Sequence, residues 1–116
     1  MDSRIGMDSI LNEAPCGFLS FTDDGTILAV NRTLLDLLGR TRDEGEGAHV
    51  ESLLTPGAKL FYHTHLFPLL KMQGHLNEVY LSLRTDEEED LNCLVNGRRT
   101  EREGRTVNDL ILVPFE

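Results

Sequence analysis

Asp24-Gly25, set between the apolar runs Gly17 to Phe21 and Ile27 to Val30, limits the fold of this chain more than any other stretch. An acidic-Gly pair suits the tight turn between antiparallel strands, and apolar runs on both sides give those strands a face to bury. The reading is a β-hairpin. Asn31 follows the second run directly, and its side-chain oxygen is suited to accept an N–H from the first turn of a helix over Arg32 to Leu38. Gly39 then supplies a left-handed stop.

Asp8-Ser9 ahead of Ile10-Leu11 reads as the cap of a short helix that stops near Ala14-Pro15. Thr41 to Gly47 reads as a polar loop, and Val50 to Leu54 as one helical turn. Thr55-Pro56-Gly57 supplies an N-cap with Pro at the first helical position, opening the longest helical segment, which runs to Gly74. Pro68 interrupts it. Its missing N–H leaves the Thr64 carbonyl without a helical partner and its ring crowds the preceding turn, which predicts a kink or two pieces near Thr64 to Phe67.

From Glu78 the period changes to two, with Val79, Leu81 and Leu83 on one face and Tyr80, Ser82 and Arg84 on the other. After the acidic loop Asp86 to Asp90, Leu91, Cys93 and Val95 share a face of a fourth strand. Arg98-Arg99, with Arg102 and Arg105, alternates with Glu101 and Glu103 and reads as the solvated tip of a hairpin. Thr106 to Phe115 is a fifth strand, so the last three strands form a meander.

A chain of 116 residues, 40% of them apolar, is long enough for one core without disulfide or metal staples. Residues 9–116 read as a single domain behind an N-terminal extension of residues 1–8. The formal net charge of -9 opposes phosphate backbones and anionic lipid, so nucleic acid is not an expected partner. No run approaches the roughly 18 apolar residues that span a bilayer, and Met1-Asp2-Ser3-Arg4 is not followed by an apolar signal core. The expectation is a soluble, cytoplasmic domain with no direct membrane contact. Cys16 and Cys93 lie in apolar strand-like runs without a CxxC, as small buried hydrophobes do in a reducing compartment.

Two strands, a helical middle and a three-stranded meander follow the element order of a PAS domain. The run GFLSFTDDGTILAVNRTLLDLLG resembles the PAS opening, with an acidic-Gly turn, a second strand ending in Val-Asn, and a helix capped by that Asn. The later run FYHTHLFPLLKMQGHLNEVYLSLRT is similar to bacterial and archaeal PAS sensors found ahead of histidine kinase, phosphatase or cyclic-di-GMP output domains. The resemblance covers residues 9 to 115. It implies an α+β fold, a five-stranded antiparallel sheet of spatial order 2-1-5-4-3 with helices packed on one face. In that order the fifth strand separates Cys16 from Cys93 by about 9.5 Å at the usual strand spacing, beyond the roughly 7 Å limit for a disulfide. Both are expected to stay reduced. Where relatives turn between the third and fourth strands with a short Asp-Gly sequence, this chain has Asp86-Glu87-Glu88-Glu89-Asp90, which also lacks the spacing that wraps calcium. The chain ends where the family continues into a signalling helix, so a C-terminal output domain of the full-length protein is an implied partner.

Three of the 4 histidines lie between Phe61 and His75. His63 and His65 are two apart, about 200° around a helix, whereas a metal pair wants a spacing of three or four. His75 lies beyond Gly74 on another element. No metal site is expected, and His63 and His75 read as solvated. His65 shares a helical face with Phe61, Pro68 and Met72. It reads as a core histidine bonded to a backbone carbonyl, as a polar contact to a ligand in the PAS cavity, or, last, as a haem ligand. Haem-binding PAS domains place a histidine on this helix, but no Arg cluster for the propionates lies nearby. Light-sensing relatives carry an Asn-Cys-Arg-Phe-Leu-Gln type motif where this chain has TRDEGEG. Neither haem nor flavin is expected, which leaves an unknown small organic ligand.

No GxSxG, P-loop, Ser/His/Asp elbow, kinase phosphoacceptor or Gly-rich ATP lid is present, so the domain is not expected to be an enzyme. Two functions remain. One is a sensory module that binds a small, mostly apolar ligand between sheet and helices and passes the change to an output domain. Its cavity would be lined by Phe61, His65, Leu69, Leu81, Cys93 and Leu112, with His65 facing the ligand's polar group. The other is a ligand-free module for dimerisation or protein docking. Phe18 and Ser20 on one face of the first strand, with Leu19 and Phe21 on the other, make that strand apolar on both sides. The outer sheet face is therefore expected to be covered by Ile5 to Leu11, giving a homodimer through Ile5, Ile10, Leu11 and Phe18.

Overall fold

Gly25 takes a φ of 91° at the turn joining β1 (Gly17–Thr22) to β2 (Ile27–Val30), in a computed structural model that describes residues 9–115. The ring of His49 lies over Gly25 and leaves no room for a Cβ there. Asp24 closes the turn by accepting the Thr26 N–H at 3.1 Å and the Thr22 hydroxyl. Asn31 joins the hairpin to α2 (Arg32–Leu38), its Oδ1 accepting the Leu34 N–H at 3.1 Å as the N-cap. Gly39 ends α2 in the left-handed conformation, as the sequence predicts.

A short α1 (Ser9–Asn12) precedes the hairpin. Thr41 to Gly47 is not a plain loop. It holds α3 (Arg42–Gly45) inside a capping box, in which the Thr41 hydroxyl accepts the Glu44 N–H and the Glu44 carboxylate accepts the Thr41 N–H. Thr-x-x-Glu is the signature of that motif. A 3-10 turn follows at Val50–Leu53.

The long helical segment is continuous but changes pitch: α4 (Pro56–Phe61), a π turn (Tyr62–Leu66), then α5 (Phe67–Gln73). The break near Pro68 takes the form of that π turn, in which the Phe67 N–H bonds the Tyr62 carbonyl five residues back. The wider turn relieves the crowding that a proline ring imposes on the carbonyl four residues before it.

β3 (His75–Arg84) begins three residues ahead of the Glu78 expected from the alternation. A bulge between Leu76 and Val79 hides its start, with Glu78 at a φ of 56° and its N–H bonded to Asn96 Oδ1 at 2.8 Å. β4 (Asp90–Arg102) meets β5 (Arg105–Pro114) at a two-residue turn, Glu103-Gly104, both with positive φ. Arg98 and Arg99 therefore lie within β4 and not at the hairpin tip. The sheet is antiparallel throughout, in the order β2-β1-β5-β4-β3.

The helices pack on one face of this sheet. Leu19, Phe21, Leu81, Leu83, Cys93, Val95, Leu110 and Leu112 form one cluster with Leu34 and Leu38 of α2 and with Tyr62, Leu66 and Leu70. Cys16 and Cys93 are both free, as expected, and burial pushes the Cys93 thiol up to about 11.

Candidate functional site

The site is built where the segment Pro56 to Gln73 crosses the sheet. Thr55 caps it, its hydroxyl accepting the Ala58 N–H at 3.3 Å. Four-residue spacing puts Ala58, Tyr62, Leu66 and Leu70 on one row, and all four are buried. A row of strict fours drifts around an α-helix of 3.6 residues per turn. The π turn takes up that drift and keeps the row on the sheet. Tyr62 is the central member. Its ring centroid lies 6.0 Å from that of Phe21 and 5.8 Å from that of Phe67. Burial, with smaller help from the charges of Glu51 and Asp23, pushes its phenol up to about 12.

Of the six residues expected to wall a cavity, Leu81, Cys93 and Leu112 are buried together on the inner sheet face. Phe61 is half-buried, while His65 and Leu69 are exposed. The expected inward placement of His65 and Leu69 is thus corrected by one residue of phase. His65 stacks on Phe61 with centroids 5.4 Å apart, and its Nδ1 lies 2.7 Å from Thr64 Oγ1. The inward positions belong to Tyr62, Leu66 and Leu70. The imidazole in the row Phe61-His65-Leu69, against none in Ala58-Tyr62-Leu66-Leu70, is the one sequence feature that leans toward the observed phase, and periodicity by itself does not choose.

A second cluster was not visible in the sequence. The Arg99 guanidinium donates to both oxygens of Asp23 at 2.8 and 2.7 Å and to Asn108 Oδ1 at 3.1 Å. Asn108, fully buried, donates to Asp23 Oδ1 at 3.0 Å and to the Phe21 carbonyl at 3.1 Å. The Arg99 hydrogen bond, more than the others, holds the Asp23 carboxyl below its ordinary range. His63 Nε2 lies 2.6 Å from Glu51 Oε2, so this exposed ring has a carboxylate partner. No group of three or more His, Cys, Asp or Glu is gathered for a metal among the described residues.

The chain matches no protein-family model. Over 109 residues, 94% of this chain, it is 40% identical to the phosphoserine phosphatase RsbP of Bacillus subtilis (strain 168). Those residues are only 27% of that relative's length. Among solved structures it superposes on the PAS domain of a protein from Colwellia psychrerythraea with a TM-score of 0.81 at 13% identity, covering 91% of each chain. It matches a PAS domain, in complex with ethanol, of a LuxR-family transcriptional regulator from Burkholderia thailandensis with a TM-score of 0.76 at 18% identity, covering 94% of this chain and 98% of that one. The chain folds as a PAS domain.

On the outer face of this PAS sheet, Tyr80, Leu94 and Val113 fall in one cross-strand row, and Phe115 packs 5.1 Å from Tyr80. Tyr80 is 68% exposed, and Val113 and Phe115 are each 44% exposed. Of the expected dimer contacts, Ile5 lies outside the described residues, Ile10 is exposed, and Leu11 and Phe18 are half-buried. No helix among the described residues is long and apolar enough to cross a membrane.

Proposed function

We propose that this PAS domain is the non-catalytic sensory module of a larger signal-transduction protein, acting on an output domain joined to it. The observation that carries the reading is the pairing of a PAS fold with 40% identity to a phosphatase of which it matches only 27%. The catalytic activity named there belongs to that protein. Two free thiols support a reducing, cytoplasmic setting.

Surface association is the mode that the geometry supports best. Tyr62, Leu66 and Leu70 fill the inner layer where a ligand wall was expected, and the row of Tyr80, Val113 and Phe115 leaves apolar area open on the outer sheet face. A homodimer through that face and the segment from Ile5 to Leu11, with Phe18 beneath, would bury it. Sedimentation at tens of micromolar tests this directly. A dimer that becomes monomeric on deletion of residues 1–12 or on Tyr80→Glu supports the mode, and a monomer in every case refutes it.

A ligand between sheet and helices is the second reading, favoured by the ethanol complex of the Burkholderia domain. Leu81, Cys93 and Leu112 would wall it, with Phe61 and Leu69 at its rim and the Tyr62 hydroxyl, in place of His65, as the polar contact. Native mass spectrometry of the purified domain decides it. A bound small molecule lost in Tyr62→Phe supports the reading, and a mass equal to the bare chain removes it.

A further inference from the structure

The helical layer is apolar on the side facing away from the core as well as on the side facing it. Opposite the buried row of Ala58, Tyr62, Leu66 and Leu70 runs a second row, Leu60, Thr64, Pro68 and Met72. Leu60 is 66% exposed and Met72 79% exposed. Thr64 spends its hydroxyl on the Leu60 carbonyl at 2.8 Å, so it offers this row no free donor. At 1.5 Å of rise per residue the row is about 18 Å long. Phe67, Pro68, Lys71 and Met72 frame a shallow groove of about 420 Å³ along its edge. A surface helix normally keeps its apolar residues on one face, and one that carries them on two is built to be covered twice.

Charge identifies the cover. From Ser52 to Asn77 the chain has no Asp or Glu, although it carries 20 in all. One flank of the outer row is Lys59, His63, Phe67 and Lys71. Lys59 and Lys71 form no salt bridge among the described residues, and Lys71 Nζ rests 5.5 Å above the Phe67 ring. We propose that this row is a docking site for an acidic amphipathic helix of a partner protein. Its apolar ridge lies on Leu60, Pro68 and Met72 and its carboxylates lie beside Lys59 and Lys71. An anionic bilayer shares the chemistry of that flank but is a broad plane, and it would also meet the surrounding surface of a chain whose net charge is -9. A helix about 10 Å across touches only this strip, where one carboxylate, that of Glu51, is already held by His63 at 2.6 Å. One helix in a shallow groove buries less than the roughly 800 Å² per partner of a stable complex, so the contact is weak and reversible.

The test uses two synthetic helical peptides with the same leucine row, one flanked by Glu and one by Lys, titrated into the isotope-labelled domain. The Glu-flanked peptide should shift the amides of Lys59 to Met72 and bind about tenfold more tightly than the Lys-flanked one, with the difference shrinking at high salt. The double variant Lys59→Glu, Lys71→Glu should reverse the preference, and Met72→Ser should weaken both peptides. Equal affinities, shifts centred on the sheet, or no binding of either peptide would overturn the proposal. So would binding to equal-part phosphatidylcholine and phosphatidylserine vesicles without binding to the Glu-flanked peptide.

Discussion

Asn31 reaches back across the first hairpin to Leu11, donating from Nδ2 to its carbonyl at 2.9 Å. The same amide donates to the Cys16 carbonyl at 3.0 Å, while Oδ1 accepts the Phe18 N–H at 2.9 Å and the Leu34 N–H at 3.1 Å. Both donors and both lone pairs of a fully buried side chain are therefore used, tying α1, β1 and α2 to one point. Replacing Asn31 with Ala removes an N-cap and orphans buried backbone groups. The expected loss is about 3 kcal/mol in urea unfolding. Asn31→Asp keeps the acceptor but cannot hold the Leu11 and Cys16 carbonyls. Amides of Glu13 and Ala14, which bond the Ser9 and Leu11 carbonyls at 3.1 and 3.3 Å, should then exchange faster than in the parent, and unchanged protection there would refute the tie.

Asp23 gives the domain an acid limb. Its pKa is depressed in the folded state, chiefly by Arg99, so the stabilisation is present above the unfolded value and is lost as pH falls through the folded one. The window lies below the ordinary Asp range, near pH 4. Because the Asp23 side chain is 41% exposed, solvent screening keeps the effect modest. Urea midpoints measured down a pH series should fall less steeply for Asp23→Asn than for the parent chain. Parallel curves would show that Arg99 does not discriminate the two protonation states.

Glu88 closes the glycine-free loop between β3 and β4 with a φ of 62°, and the Thr85 N–H bonds the Glu89 carbonyl at 2.9 Å across it. A left-handed backbone costs an ordinary side chain about 1 kcal/mol. Glu88→Gly relieves that cost and thins a cluster of like charges, offset in part by added freedom in the unfolded chain. The melting temperature should rise by a few degrees, and a fall would show that the loop is held by the Glu88 side chain.

Tyr62 and His65, three residues apart, should respond oppositely to truncation. Tyr62→Ala opens a hole beneath Phe21 and Phe67 and should cost about 3 to 5 kcal/mol. His65→Ala removes an exposed ring and should stay within about 0.5 kcal/mol of the parent in thermal unfolding. A large loss at His65 would place it in the core after all.

What could be read in the sequence was local. Asp24-Gly25, Asn31 and Gly39 each set backbone geometry within a few residues, and a turn or cap needs no distant partner. The sheet order came through resemblance and not through spacing. The phase of the long helix was hidden because apolar residues occupy all four of its rows, so periodicity alone did not choose between Phe61-His65-Leu69 and Tyr62-Leu66-Leu70. Arg99 looked solvated because Asp23 is 76 residues away in the chain, and only the pairing of β1, β5 and β4 brings the two together.

The π turn at Tyr62–Leu66 also says something about chain length. A π turn is an α turn with one extra residue let into it. Removing a single residue there, such as His63, would let the backbone close to ordinary pitch with Leu66 and Leu70 still over the sheet, at the cost of renewed crowding between the Pro68 ring and the carbonyl four residues before it. The same deletion in β4 or β5 would turn every following side chain to the opposite face. The helix is thus the part of this domain where loss of one residue turns the fewest core side chains away from the sheet.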